Sequence, residues 1–209
     1  MKRFEKDPVR GWLHDVPWPR AAIALTHGAG SSCEAPFLVA VAEALESEGY
    51  AVLRYDLPFR QERAHGSGPM NASLQARDRE GIVCAASELR SAYSGAKIVL
   101  AGHSYGGRQS SMVAASDPSR ADVLLLLSYP LHPPRTPQKL RTEHLPSLHT
   151  PCLFVHGTRD PFGTIEEMEQ ALKLIPAKTM LQTIPGGAHN LPEKAATLLP
   201  AWLSAMMDG

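Results

Sequence analysis

The sequence predicts an α/β fold in which helices cover both faces of a mainly parallel sheet. Three observations lead there. Short aliphatic runs alternate with helix-period segments along most of the chain, glycines cluster where those runs end, and Val123–Leu127 (VLLLL) has no polar residue and so needs cover on both sides.

The elements follow in chain order. Ala21–Thr26 (AAIALT) reads as a buried strand that stops at His27-Gly28-Ala29-Gly30. Over residues 36–48, Phe37, Val41 and Leu45 recur every four positions with Leu38 and Ala42 beside them, which makes an amphipathic helix ended by Gly49. Residues 51–55 (AVLRY) give the second strand, and a loop of glycine, proline and charges over 57–71 leads to a helix marked by Ile82, Val83, Ala86, Leu89 and Tyr93. The third strand, 97–101 (KIVLA), runs into Gly102-His103-Ser104-Tyr105-Gly106-Gly107, with a helix from Arg108 toward Ala115. Val123–Leu127 is the fourth strand and 151–156 (PCLFVH) the fifth, followed by a helix with Ile165, Met168, Leu172 and Ile175 on one side. Thr179–Ile184 is the sixth, and Leu199, Trp202, Leu203 and Met206 mark a closing helix. Alternation at this spacing implies right-handed crossovers and parallel pairing. In the first 19 residues, Val9–His14 offers an edge strand or hairpin.

A length of 209 residues, set against about 150 per domain, predicts one domain over 1–209. Hydrophobic residues at 44% and charged residues at 20% exclude disordered and fibrous chains. Lys plus Arg and Asp plus Glu are 21 each, which leaves no net field to attract nucleic acid or an anionic membrane, so neither is expected as a partner. The charged, proline-interrupted start is no signal peptide, and no stretch approaches the roughly 18 apolar residues of a membrane span, which predicts a cytoplasmic protein. Three cysteines, Cys33, Cys84 and Cys152, without CxxC spacing argue against a disulfide framework and a zinc site. No metal or cofactor is expected; the cysteines read as small hydrophobes that pack inside, with reactivity of Cys33, beside the HGAG turn, as the alternative.

Gly102-His103-Ser104-Tyr105-Gly106 matches G-x-S-x-G between an aliphatic strand and a helix. The bare motif is a weak signal, and its setting strengthens it: a serine presented on a strained turn above a sheet edge needs glycines two residues either side so that strand and helix can approach. A serine hydroxyl needs a base, and of nine histidines the better placed ones follow strands: His27, His103, His132, His156 and His189. His27 and His156 sit in His-Gly pairs that shape turns, and His103 precedes the serine and points elsewhere. His189, in the glycine-loosened loop Pro185-Gly186-Gly187-Ala188-His189-Asn190 after the sixth strand, is the predicted base. Asp160, just past the fifth strand, is the predicted carboxylate for it, and completes the order Ser, Asp, His. Asp56 precedes the serine and Asp122 stands at the wrong end of the sheet. An Asx turn ahead of Pro161 is a structural role open to Asp160 as well. For the oxyanion the candidates are the N–H of Tyr105, at a helix start, and that of Ala29 in HGAG, with Gly30 as fallback donor and candidate substrate contact.

HGAG, AVLRYDLPFR at 51–60, AGHSYGGRQSSM at 101–112, SYPLHPPRTPQKLRTEHLP at 128–146 and HGTRDPFGT at 156–164 together resemble the α/β-hydrolase superfamily. Within it the chain is similar to small dienelactone-hydrolase-like enzymes related to testis-expressed protein 30. The resemblance covers roughly residues 20 to 207 and implies a three-layer α/β-hydrolase fold without a large cap domain, with Ser104, Asp160 and His189 as its catalytic set. His103 and Tyr105 stand where Lys or Arg and Met are common in that family.

The segment 129–150 has 22 residues, five of them proline, and no helical period, which is long for a connection. Tyr129, His132 and Arg141 on it are candidate substrate contacts, with solvated surface positions as the bland alternative. Arg108, in the helix after the elbow, reads as a structural ion-pair partner, with a substrate ligand as the alternative. The expectation is a serine hydrolase that cleaves a small-molecule ester, thioester or lactone through an acyl-enzyme. The alternative from another class is a hydrolase-shaped binding or scaffold module.

Overall fold

The computed structural model describes residues 1–63, 65–68 and 71–208. Among the described residues the strands are β1 (Lys2–Lys6), β2 (Val9–His14), β3 (Ala21–Thr26), β4 (Ala51–Asp56), β5 (Lys97–His103), β6 (Val123–Leu127), β7 (Cys152–Gly157) and β8 (Thr179–Ile184). They form one sheet in the order β1-β2-β4-β3-β5-β6-β7-β8. β1 and β2 pair antiparallel, β2 pairs antiparallel with β4, and every other neighbouring pair is parallel.

The α-helices are α1 (Pro36–Ser47), α2 (Pro58–Glu62), α3 (Ala72–Ala92), α4 (Tyr105–Ser116), α5 (Ile165–Leu172) and α6 (Leu199–Asp208). Alternate residues of each central strand point to opposite faces. Ala22 and Ala24 of β3 with Leu124 and Leu126 of β6 pack toward α3, α4 and α5 through Ile82, Leu89, Val113 and Met168. Ile23, Leu25, Leu125 and Leu127 pack toward α1 and α6 through Leu38, Val41, Leu45, Leu199 and Leu203. This two-sided burial is what the all-aliphatic Val123–Leu127 demanded, and each fully buried Leu contributes roughly 1.5–3 kcal/mol.

Element starts carry local signals. Prolines occupy the first turns of α1 and α2, Asn71 caps α3 by accepting from the Leu74 N–H at 2.8 Å, and α5 opens with a capping box between Thr164 and Glu167. The antiparallel pair β1-β2 at the sheet edge is the hairpin that the first 19 residues offered, although β1, with only Phe4 packing inward, lacks a strand's apolar alternation; α2 differs from the sequence expectation, since it lies inside the stretch read as loop over 57–71.

One topological feature positions the site. β3 and β5 are neighbours, yet the helix after β3 packs on one face of the sheet and the helix after β5 on the other. The chain therefore diverges at the carboxyl ends of these two strands and leaves a crevice there.

Candidate active site

Ser104 stands at the mouth of that crevice, between β5 and α4, with φ 50° and ψ −115°. A non-glycine residue in the left-handed region is strained, and here the surroundings fix it. A Cβ on Gly102 would lie 2.5 Å from the Gly107 nitrogen, and one on Gly106 would lie 2.6 Å from the His27 carbonyl oxygen. Glycine at both positions lets helix, elbow and β3 close up. The Ser104 N–H donates to the Leu127 carbonyl at 2.8 Å and that of Gly106 to the His27 carbonyl at 3.1 Å, which pins the turn to strands on both sides.

The loop after β8 brings His189 to the elbow. Its Nε2 lies 2.7 Å from Ser104 Oγ, and its Nδ1 lies 2.8 Å from Oδ2 and 3.0 Å from Oδ1 of Asp160. A carboxylate facing Nδ1 places the ring proton there and leaves Nε2 as an acceptor for the serine hydroxyl. Asp160 is 5% exposed, and its Oδ1 also accepts the Phe162 N–H at 2.9 Å, so the Asx turn and the histidine contact coexist. Phe162 stacks on the His189 ring with centroids 4.0 Å apart, a contact the sequence reading did not include. Its position two residues after Asp160 was the available signal.

The other strand-end histidines are held by backbone groups. His27 donates from Nδ1 to the Gly28 carbonyl at 2.8 Å and accepts the Leu57 N–H at Nε2, 3.1 Å, while burial pushes its pKa down. His156 donates from Nε2 to the Gly163 carbonyl at 2.9 Å and is likewise depressed by burial. His103 does not simply point elsewhere: its Nε2 donates to the His189 backbone carbonyl at 2.9 Å, and burial lowers its pKa to about 4. Asp56, at the end of β4, accepts the Cys33 N–H at 2.7 Å and holds the chain that follows HGAG.

Ala29, Gly30 and Tyr105 line a cleft of about 950 Å³ that also includes Ser104 and His189. The Tyr105 N–H is the first of α4, at an end whose N–H groups have no partner within the helix. The Tyr105 hydroxyl turns away and donates to Asp78 at 2.7 Å, which ties α4 to α3.

Four expectations are corrected by the structure, three of them by burial. Tyr129 is 1% exposed with its hydroxyl donating to the Arg141 carbonyl, and His132 is buried against the Pro133 carbonyl and Glu167; neither is part of the cleft wall. Cys33 is buried, and burial reinforced by the Asp56 carboxylate pushes its thiol up to about 12, which removes it as a reactive thiol. Arg108 has no ion pair among the described residues and instead lines the cleft, together with Arg141. The segment over 129–150 is anchored by the buried Leu131, Leu145 and Leu148, which fixes the rim it supplies.

Among the described residues no group of three or more His, Cys, Asp or Glu side chains is arranged to hold a metal ion, and no helix is long and apolar enough to cross a membrane.

Comparison with known proteins gives the family. Two Mycobacterium tuberculosis proteins, from strains CDC 1551 / Oshkosh and ATCC 25618 / H37Rv and each named "Putative phosphoribosyl transferase", are 30% identical over 192 residues. The match takes in 89% of this chain but 40% of theirs, so the chain spans less than half the length of these relatives. Among solved structures, Est1E from Butyrivibrio proteoclasticus with ferulic acid bound has a TM-score of 0.75 at 21% identity, covering 100% of both chains. A dienelactone hydrolase from Anabaena variabilis has a TM-score of 0.74 at 24% identity, covering 94% of this chain and 89% of that one. XC6422 from Xanthomonas campestris, described as an α/β serine hydrolase without lid, has a TM-score of 0.66 at 18% identity over 96% and 88% of the two chains. These likenesses show a shared fold. A family model described as "Alpha/beta hydrolase domain" matches residues 19–198, and the chain belongs to the α/β-hydrolase family.

Proposed function

We propose that the protein is a serine hydrolase that cleaves a small-molecule carboxylic ester, thioester or lactone through an acyl-enzyme on Ser104. The observation that carries this reading is the unbroken line from Ser104 Oγ to His189 Nε2 at 2.7 Å and from His189 Nδ1 to Asp160 at 2.8 Å. His189 takes the hydroxyl proton as Oγ bonds to the substrate carbonyl carbon. The oxyanion so formed is met by the N–H groups of Ala29 and Tyr105, fixed donors that need no reorganisation. Collapse expels the alkoxide or thiolate, which takes the proton from the His189 imidazolium. Water, deprotonated by the same imidazole, then releases the acid and restores Ser104. Asp160 holds the Nδ1 tautomer and stabilises the imidazolium while it exists.

The transferase name of the mycobacterial relatives is not carried over, because it belongs to proteins of which this chain spans 40%. The reading is tested with Ser104→Ala, assayed on activated esters such as 4-nitrophenyl butyrate. Turnover should fall by several orders of magnitude while the melting temperature holds or rises slightly, since the strained elbow serves chemistry and not packing. Turnover retained in the variant would sink the proposal.

A further inference from the structure

Two arginines line the cleft that holds Ser104. Arg108 follows the serine by four residues on α4, its N–H bonded to the Ser104 carbonyl at 3.0 Å, so both side chains leave the same face of the helix. Arg141 arrives from the long segment after β6, and both line the cleft.

Neither guanidinium is neutralised. Among the described residues no carboxylate lies within 4.0 Å of either one. Arg108 Nε is buried without a hydrogen-bond partner, and the side chain of Arg141 makes one hydrogen bond, Nη1 to the Pro130 carbonyl at 3.2 Å. Arg60 shows what a structural arginine looks like in this chain: it donates to four backbone carbonyls, those of Ala29, Ser31, Arg63 and Gly66. The two wall arginines also act on each other, since burial and then the nearby Arg108 charge hold Arg141 below the ordinary guanidinium range. His144, beside them and bonded to Ser111 Oγ at 2.8 Å, is held down to about 4 by burial and by Arg108, so it adds no charge at neutral pH. Acidic groups nearby are Glu143, exposed and acting on Arg141 from a distance, and Glu193, which enters the cleft lining after His189.

A buried guanidinium donor left unpaired, as Arg108 Nε is, is costly, and a second guanidinium repelling it beside a nucleophile adds to that cost unless an anion completes the pair. We propose that Arg108 and Arg141 form an anion subsite, so that the substrate is an acyl compound carrying a carboxylate or phosphate group, held by these two side chains while its carbonyl sits at Ser104. This rests on the serine-hydrolase reading for the attacked bond but not for the binding of the anion. Paired donors of this kind match the oxygens of an oxyacid group and hold it in one orientation.

The test compares three esters of equal length: 4-nitrophenyl hexanoate, mono-4-nitrophenyl adipate and the matching ester with a terminal phosphonate. The ratio of kcat/KM for the charged over the neutral ester should be well above one. It should fall by about 10-fold to 100-fold in Arg108→Gln and in Arg141→Gln, the range of one lost charge-assisted hydrogen bond, and recover in part in Arg108→Lys. The ratio should also shrink with added salt. Whichever charged ester the wild type prefers identifies the anion, and preference for neither, or a ratio unmoved by both substitutions, overturns the subsite. Calorimetric binding of the charged esters to Ser104→Ala separates the two readings. Binding lost in Ser104→Ala/Arg108→Gln supports the subsite even if wild type hydrolyses nothing, whereas hydrolysis of the neutral ester without charged-ester binding leaves the serine reading standing and removes the subsite.

Discussion

Two kinds of histidine meet at the carboxyl edge of the sheet, and their surroundings assign them different work. His27 and His156 are fully buried and bonded to backbone at the strand ends that carry them. Desolvation pushes the pKa of both down, and they set the paths of the turns after β3 and β7. His189 stands on a loop, 17% exposed in its side chain, with one nitrogen on a buried carboxylate and the other on a strained serine. Being at a strand end therefore does not make a histidine a base. What distinguishes His189 is that both ring nitrogens face side chains able to exchange or stabilise a proton, and neither is consumed by the fold. His103 links the two kinds, since desolvation holds its pKa down as in the first, yet it is only half-buried, lines the cleft and spends its N–H on the carbonyl of the second.

Breaking the carboxylate side of His189 should have the largest effect. Asp160→Asn offers an amide that favours the wrong tautomer, and turnover should drop on the scale of roughly 10⁴. Asp56→Asn, which touches the turn after HGAG and not His189, should not approach that loss. Parallel kinetics on the two variants decide it, and the opposite ranking would reassign the acid.

The locked histidines should show in stability before they show in rate. With His103 near 4 when folded and 6.5 when unfolded, the native state binds fewer protons than the unfolded chain over that window. Its contribution is therefore complete above pH 6.5 and is lost as pH falls toward 4, at a cost of about 1–2 kcal/mol near pH 5. His103→Gln, which can keep an amide donor for the His189 carbonyl but does not titrate, should flatten the fall in denaturant midpoint between pH 7 and 4.5. An unchanged slope would mean that His103 is not held neutral by burial.

A smaller effect sharpens the link between the two kinds. His103→Ala removes one hydrogen bond to the His189 loop, worth about 0.5–1.5 kcal/mol, so kcat should fall roughly 2-fold to 10-fold with little change in KM. The Gln variant should restore most of it. Equal damage by Ala and Gln would point to ring packing against Phe37 and His189 as the contribution that matters.

Much of this was legible in the sequence because it depends on order and periodicity. The aliphatic runs marked six core strands, and G-x-S-x-G, Asp160 and His189 each follow one of them, so the three side chains that meet in the structure could be picked by position along the chain. What depends on burial was not legible. Tyr129 and His132 look like loop residues in the sequence but turn inward, because Leu131, Leu145 and Leu148 pull their segment onto the core. Arg108 looks like any helical arginine, and only the folded structure shows that it lines the cleft, with its Nε left without a partner. A hairpin at the start was open to the sequence reading, but the bounds of β1 were not, because KRFEK gains its strand from pairing with β2 and not from its own pattern.

The central claim is that Ser104 is the nucleophile activated by His189, and covalent labelling by a fluorophosphonate, read by peptide mass mapping, tests it most directly. The account predicts a single adduct on the peptide containing Ser104, absent in Ser104→Ala and formed much more slowly in His189→Ala. An adduct on another residue, or labelling at Ser104 that proceeds at the wild-type rate without His189, would contradict it.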